Sequence, residues 1–351
     1  MLLPEDDYPL HQSALPLAHV MDGHPNAYDR YFFNGFAEDF YFAVALGLYP
    51  NRGVIDGAFS VVVGGKQYSV FASDALTGRP TEVGPIRVEI VEPLSVNRLV
   101  VDAPEQGLRA ELVYTRSTAT IEEPRQTMHD ANRLFMDVTR ATQLGTWSGW
   151  IETPAGRMSA TGLMGTKDRS WGVRPVGEPL PGAPTNRVPQ IAFFWAPFSV
   201  GGEGRHYMTF RDGDGGVLSE SGGVLPIDGS SARHVGGDLT IEWEPGTRRA
   251  RLATVKVGTE RYQLTPLLRF HMRGVGYGHP TYAHGRWHGG PVVDGETLVI
   301  DEVSPADYFS LHIQHVVRVE GSTGSGLGVL EQLLVGPFAP GGFTDLLDGA
   351  P

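Results

Sequence analysis

Phe59-Ser60-Val61-Val62-Val63-Gly64-Gly65-Lys66-Gln67-Tyr68-Ser69-Val70-Phe71-Ala72 reads as a β-hairpin. Phe59, Val61 and Val63 alternate up to the glycine pair, and Tyr68, Val70 and Ala72 alternate away from it. A period of two sorts side chains onto the two faces of a pleated strand, and paired glycines accept the positive φ angles of a two-residue hairpin turn. A second hairpin has the same form: Leu239, Ile241 and Trp243 alternate toward Pro245-Gly246, and Ala250, Leu252 and Thr254 alternate away. Each of these strands is expected to have one wet face and one dry face.

The pattern extends outward from both hairpins. Gly (46) and Pro (26) make up about a fifth of the 351 residues and punctuate short runs rich in Val, Ile, Phe, Tyr and Thr, with no long helical periodicity. Further strands are expected at 86–91, 98–102, 108–117, 135–139, 147–152, 191–195, 207–211, 262–272, 298–303, 308–319 and 328–335. The uninterrupted apolar run Phe40 to Tyr49 is expected to be a buried strand, since it is too short to span a bilayer. That supply suffices for two barrels of six to ten strands. Five prolines fall in the seventeen residues RPVGEPLPGAPTNRVPQ (174–190), which marks the boundary. The reading is therefore all-β: two antiparallel β-barrel or sandwich domains in tandem, residues 1–178 and 191–351, joined by a proline-rich linker at 179–190.

Composition narrows the function. With 28 Lys plus Arg against 40 Asp plus Glu, the formal charge is −12, which disfavours nucleic acid and anionic membrane surfaces as partners. The absence of cysteine removes disulfides, thiolate nucleophiles and Cys-based metal sites, and it fits a reducing compartment. Met1 to Ser13 is acidic and carries Pro4 and Pro9, unlike a secretory signal, and no 18-residue apolar run occurs, so a cytoplasmic protein without membrane insertion is expected. Oligomeric state stays open, a homodimer included.

Three clusters are candidates for chemistry. In Gly165-Thr166-Lys167-Asp168-Arg169-Ser170-Trp171-Gly172 a carboxylate lies three residues from an aromatic ring; burial beside such a wall raises a carboxyl pKa and makes a general acid. Alternatively Asp168 pairs with Arg169 or Arg174 at a structural corner and Trp171 plugs a barrel end. The second cluster holds His271, Tyr277, His279, His284, Trp287 and His288. His279 or His284 suits a general base or proton shuttle; the other readings are a His284/His288 metal site, disfavoured by Gly285, Gly289 and Gly290, and backbone-bonded turn histidines. In the third, Tyr28 and Asn34 stand ahead of the apolar run as lining for a pocket entrance; the alternative reading is that Asp29 and Arg30 form a surface ion pair of little energetic worth. Glu331, within the strand expected at 328–335, must be paired or protonated if buried, as the partner of an arginine or as a catalytic group. No GxSxG elbow, P-loop or dinucleotide fingerprint is present, and Asp212-Gly213-Asp214-Gly215 reads as a hairpin turn.

GTKDRSWG (165–172) resembles the characteristic stretch of the carotenoid 1,2-hydratase (hydroxyneurosporene synthase) and AttH-like superfamily, with its actinobacterial relatives most similar. NAYDRYFFNG (26–35), FYFAVALGLYPNRGVIDGAFSV (40–61) and GYGHPTYAHGRWHG (276–289) support the resemblance over both halves. It implies two lipocalin-like β-domains enclosing an apolar small molecule of terpenoid, carotenoid or steroid type, and a cofactor-independent, metal-free hydratase or dehydratase. In that chemistry an acid protonates an isolated C=C bond, aromatic rings stabilise the carbocation and water captures it. Asp168 matches the acidic position and Trp171 the aromatic one, with Trp195 and Tyr277 as further walls and Trp287 as a substrate contact. The chain differs at Thr166, Arg169 and Ser170, where tyrosine, histidine and asparagine are expected, which leaves the substrate open. The same cavity would also suit an isomerase or cyclase, and a carrier of an apolar ligand is the competing reading.

Overall fold

The computed structural model describes residues 2–130, 132–175 and 189–351, so the expected linker lies, up to residue 188, outside the described residues. Two curled antiparallel sheets account for nearly all the regular structure, with only short 3-10 turns besides. They form two lipocalin-like β-domains in tandem, as the alternating patterns imply. No helix among the described residues is long and apolar enough to cross a membrane.

The opening hairpin forms as read: Val54–Val63 pairs with Lys66–Ala75 in the register Val63 to Lys66, and Gly64 and Gly65 turn the chain at φ 59° and 75°. The expectation of one wet face fails here. Val54–Val63, and Phe40–Tyr49 beside it, are buried on both faces. Even-numbered Phe42, Val44, Leu46 and Leu48 fill the interior of the first sheet, while Tyr41, Ala43 and Ala45 face the second sheet. A strand pressed between two packed layers has no face left for water. The second hairpin lies at the outer rim of its sheet, where Thr240 and Glu242 stay exposed between more buried neighbours. A bulge between Glu242 and Trp243 shifts the register, so Ala253, Val255 and Val257 face the core in place of Leu252 and Thr254.

Other boundaries also move. The strands expected at 135–139 and 147–152 are one 21-residue strand, Arg133–Thr153. The one expected at 308–319 begins only at Ile313, after a 3-10 turn. The first sheet has fourteen strands among the described residues, more than the six to ten expected. One of these, Val292–Val299, comes from the C-terminal half and pairs with Lys66–Ala75. The second sheet has nine. Each sheet curls around its own apolar core, and a third cluster, including Phe32, Tyr41, Phe71, Trp195, Met208 and Phe270, joins their outer faces.

Residues 271–299 strap the second domain onto the first. The Gln67 side chain bonds both backbone groups of His271, and Gly274 packs so closely on Gln67 and Ser60 that a Cβ would fall 2.1 Å from Gln67 Nε2.

Candidate active site

A cavity of about 630 Å³ opens between the outer faces of the two sheets. The interiors of the two sheets are themselves filled, the first by Phe33, Phe42, Phe59 and Trp147 and the second by Phe194, Phe198, Tyr207 and Tyr262.

Its floor is three adjacent strands of the first sheet. Phe32 on Ala27–Ala37 and Thr142 on Arg133–Thr153 flank Asp168 on Met164–Val173, and Arg140 and Met136 extend the same face. The roof is the second sheet, where the cross-strand pairs Trp195/Glu331 and Phe193/Leu333 line the space with Phe210. The strap closes one side with Met272, Tyr277, Ala283 and His284. Gly276 turns the strap at φ 92°, and a Cβ there would lie 2.6 Å from the His284 ring, so only glycine lets Tyr277 and His284 converge.

Among the described residues Asp168 makes no ion pair, and its buried Oδ1 has no hydrogen-bond partner. Arg169, one of the partners considered for it, instead bonds Asp29 at 2.8 Å. Desolvation raises the Asp168 carboxyl to about 7; Glu123 adds to the rise, Arg140 and Arg174 oppose it, and Glu331 adds again. Across the cavity His312 Nε2 meets Glu331 Oε1 at 2.5 Å, and Gln314 donates to the other Glu331 oxygen. Gln314 accepts from Tyr41 and Asn34, and Asn34 Oδ1 accepts from Thr166 N and Oγ1 at 2.8 Å each. A continuous hydrogen-bonded network therefore fixes His312 against both sheets. His284 is held neutral, its pKa well below the imidazole range through desolvation and the charges of Arg30, Arg174 and His312. Desolvation lifts nearby Asp56 to about 6 despite Arg30.

The structure brings together Asp168, His284, Trp195 and Tyr277 of the residues expected from sequence, and it places the others elsewhere. Trp171 sits three positions from Asp168, hence on the opposite face of the strand, and is 42% exposed. Trp287 is 46% exposed and away from the cavity. His279 is a turn residue whose Nδ1 accepts from Thr281 and Tyr282. Tyr28 lies behind the wall under Arg174, and Asn34 serves the network. Arg30, read as a surface residue, is buried above the Tyr277 ring, and Asp29 pairs with Arg169 and Arg79. Sequence reasoning did not single out Arg140, Phe193, Phe210 and His312 as site residues. The one available signal was IAFFWAPFSV (191–200), apolar on both alternating faces. Among the described residues no group of three or more His, Asp or Glu side chains is placed to hold a metal ion.

A family model matches residues 2–344. The chain belongs to DUF8625, a family of unknown function. No curated protein sequence matches this DUF8625 member. Its fold is similar to a solved protein of Nitrosomonas europaea described as a “putative AttH”: 12% identity, TM-score 0.58, covering 88% of this chain and 92% of that one. CghA aligns at 14% identity and TM-score 0.42 over 88% of each chain, a distance at which the overlap carries no argument. The N. europaea likeness shows the two-domain fold of this DUF8625 protein and nothing about its chemistry.

Proposed function

We propose that this protein is a cofactor-independent lyase of the hydratase or dehydratase type, acting on a largely apolar small molecule held between the two domains. One observation carries the reading: Asp168 faces the cavity as an unpaired carboxyl with a pKa near neutrality. A binding protein gains nothing from a desolvated carboxyl of this kind, whereas a general acid needs one.

In the hydration direction the Asp168 carboxyl gives its proton to one carbon of a C=C bond, and the developing positive charge faces Trp195 and the resulting carboxylate. A water attacks the other carbon and loses a proton to His312, which Glu331 orients; solvent exchange then returns His312 and Asp168 to their starting states. Dehydration runs the same steps backwards. Loss of a proton from the cation in place of water capture gives an isomerase from the same groups.

Mass spectrometry of solvent extracts from purified wild type and Asp168→Asn tests this. A co-purifying apolar ligand that differs between the two by the mass of water, or by isomer retention time, supports the lyase or isomerase. The same unmodified ligand in both makes the protein a carrier.

A further inference from the structure

Arg174 lines the cavity, is about nine-tenths buried and makes no ion pair among the described residues. Its guanidinium lies 4.4 Å from the centre of the Tyr28 ring, and its Nη1 donates to Tyr277 Oη at 3.2 Å. Nε and Nη2 have no hydrogen-bond partner among the described residues. Among the described residues no carboxylate bonds it: Asp168 lines the same cavity without pairing to it, Glu123 is engaged with Arg140 and His206, Glu331 with His312, and Asp56 with Tyr49 and the Gly285 amide. Arg30, on the Tyr277 ring at 4.5 Å, adds a second guanidinium with two unpartnered nitrogens. Arginine does not shed its proton, and a buried cation with vacant donors is costly until an anion fills them.

We infer that the ligand is amphipathic, with an anionic oxygen group, a carboxylate or an enolate, bound by Arg174 Nε and Nη2. Its apolar body lies against Phe193, Phe210, Trp195 and Leu333. This rests on the reading of the cavity as the substrate site and names the substrate class for the proposed reaction. The bound anion also offsets the like charge that Arg140 and Arg174 would otherwise present to the cation formed when Asp168 protonates the double bond.

The test compares dodecanoate with its methyl ester, by calorimetric titration and quenching of tryptophan fluorescence, on wild type, Arg174→Gln, Arg174→Lys and Asp168→Asn. Dodecanoate should bind wild type at least ten-fold more tightly than the ester; Arg174→Gln should abolish that preference, Arg174→Lys keep part of it, and Asp168→Asn retain it. Equal affinity of wild type for acid and ester, no binding of dodecanoate at millimolar concentration, or a preference that survives in a folded Arg174→Gln would overturn the inference. The wild-type comparison stands alone if that variant does not fold. A preference for dodecanoate without conversion in the extraction experiment leaves a carrier of anionic amphiphiles; conversion without the preference leaves a lyase for neutral ligands.

Discussion

Asp168 and Trp171 show, at the scale of a residue, how far a spacing of three carries two side chains apart. Both stand in one motif, yet a spacing of three on an extended strand sends them to opposite faces, and the aromatic wall beside the acid comes from Trp195, Tyr277 and Phe32. Asp168 stood out in the sequence because a carboxylate inside a strand has few uses. Its pKa near 7 fixes two pH effects. The proposed reaction needs the protonated carboxyl, so kcat/KM should fall as pH rises through about 7, with Asp168→Asn lowering it by roughly 10²–10⁴-fold at pH 6. For stability, a carboxyl raised above its unfolded value contributes most below about pH 4, and that contribution disappears as pH rises through about 7. Asp168→Asn, neutral throughout, should therefore be more stable than wild type at pH 8 by roughly 1–4 kcal/mol and similar to it at pH 4. Thermal unfolding at the two pH values decides this, and a pH-independent difference would contradict the burial argument.

At the scale of the element, glycines separate local from tertiary constraint. Gly65 turns the opening hairpin at φ 75° with nothing within 4 Å of a built Cβ, so Gly65→Val strains only the backbone and should cost about 1–2 kcal/mol. Gly165 lies in the central strand, where a Cβ would sit 2.1 Å from Asn34 O and 2.2 Å from Trp147 Nε1, disrupting the bond between those atoms. Gly165→Ala should cost several kcal/mol and leave little soluble protein. Denaturant titration of the pair should give clearly different midpoints. The first glycine's role can be read from the GG dipeptide; the second's depends on Trp147, eighteen residues away along the chain but directly above it in space.

The whole molecule is held together by what crosses between its halves. The strap 271–299 carries a strand into the first sheet and one wall of the cavity, and the interface buries Tyr41, Phe71, Phe270 and Trp195. Each such apolar side chain contributes about 1.5–3 kcal/mol by leaving water. Unfolding should therefore follow a single calorimetric transition with equal calorimetric and van't Hoff enthalpies, and two resolved transitions would mean that the halves fold independently.

Strand content, the two-domain plan and the glycine-pair hairpin were determined by sequence alone, since alternation and turn residues act over a few positions. Which face of each strand meets water, where the cavity lies, and the pairing of His312 with Glu331 were decided only by the tertiary structure. These depend on which sheet covers which, and strand alternation specifies two faces without saying what lies against either.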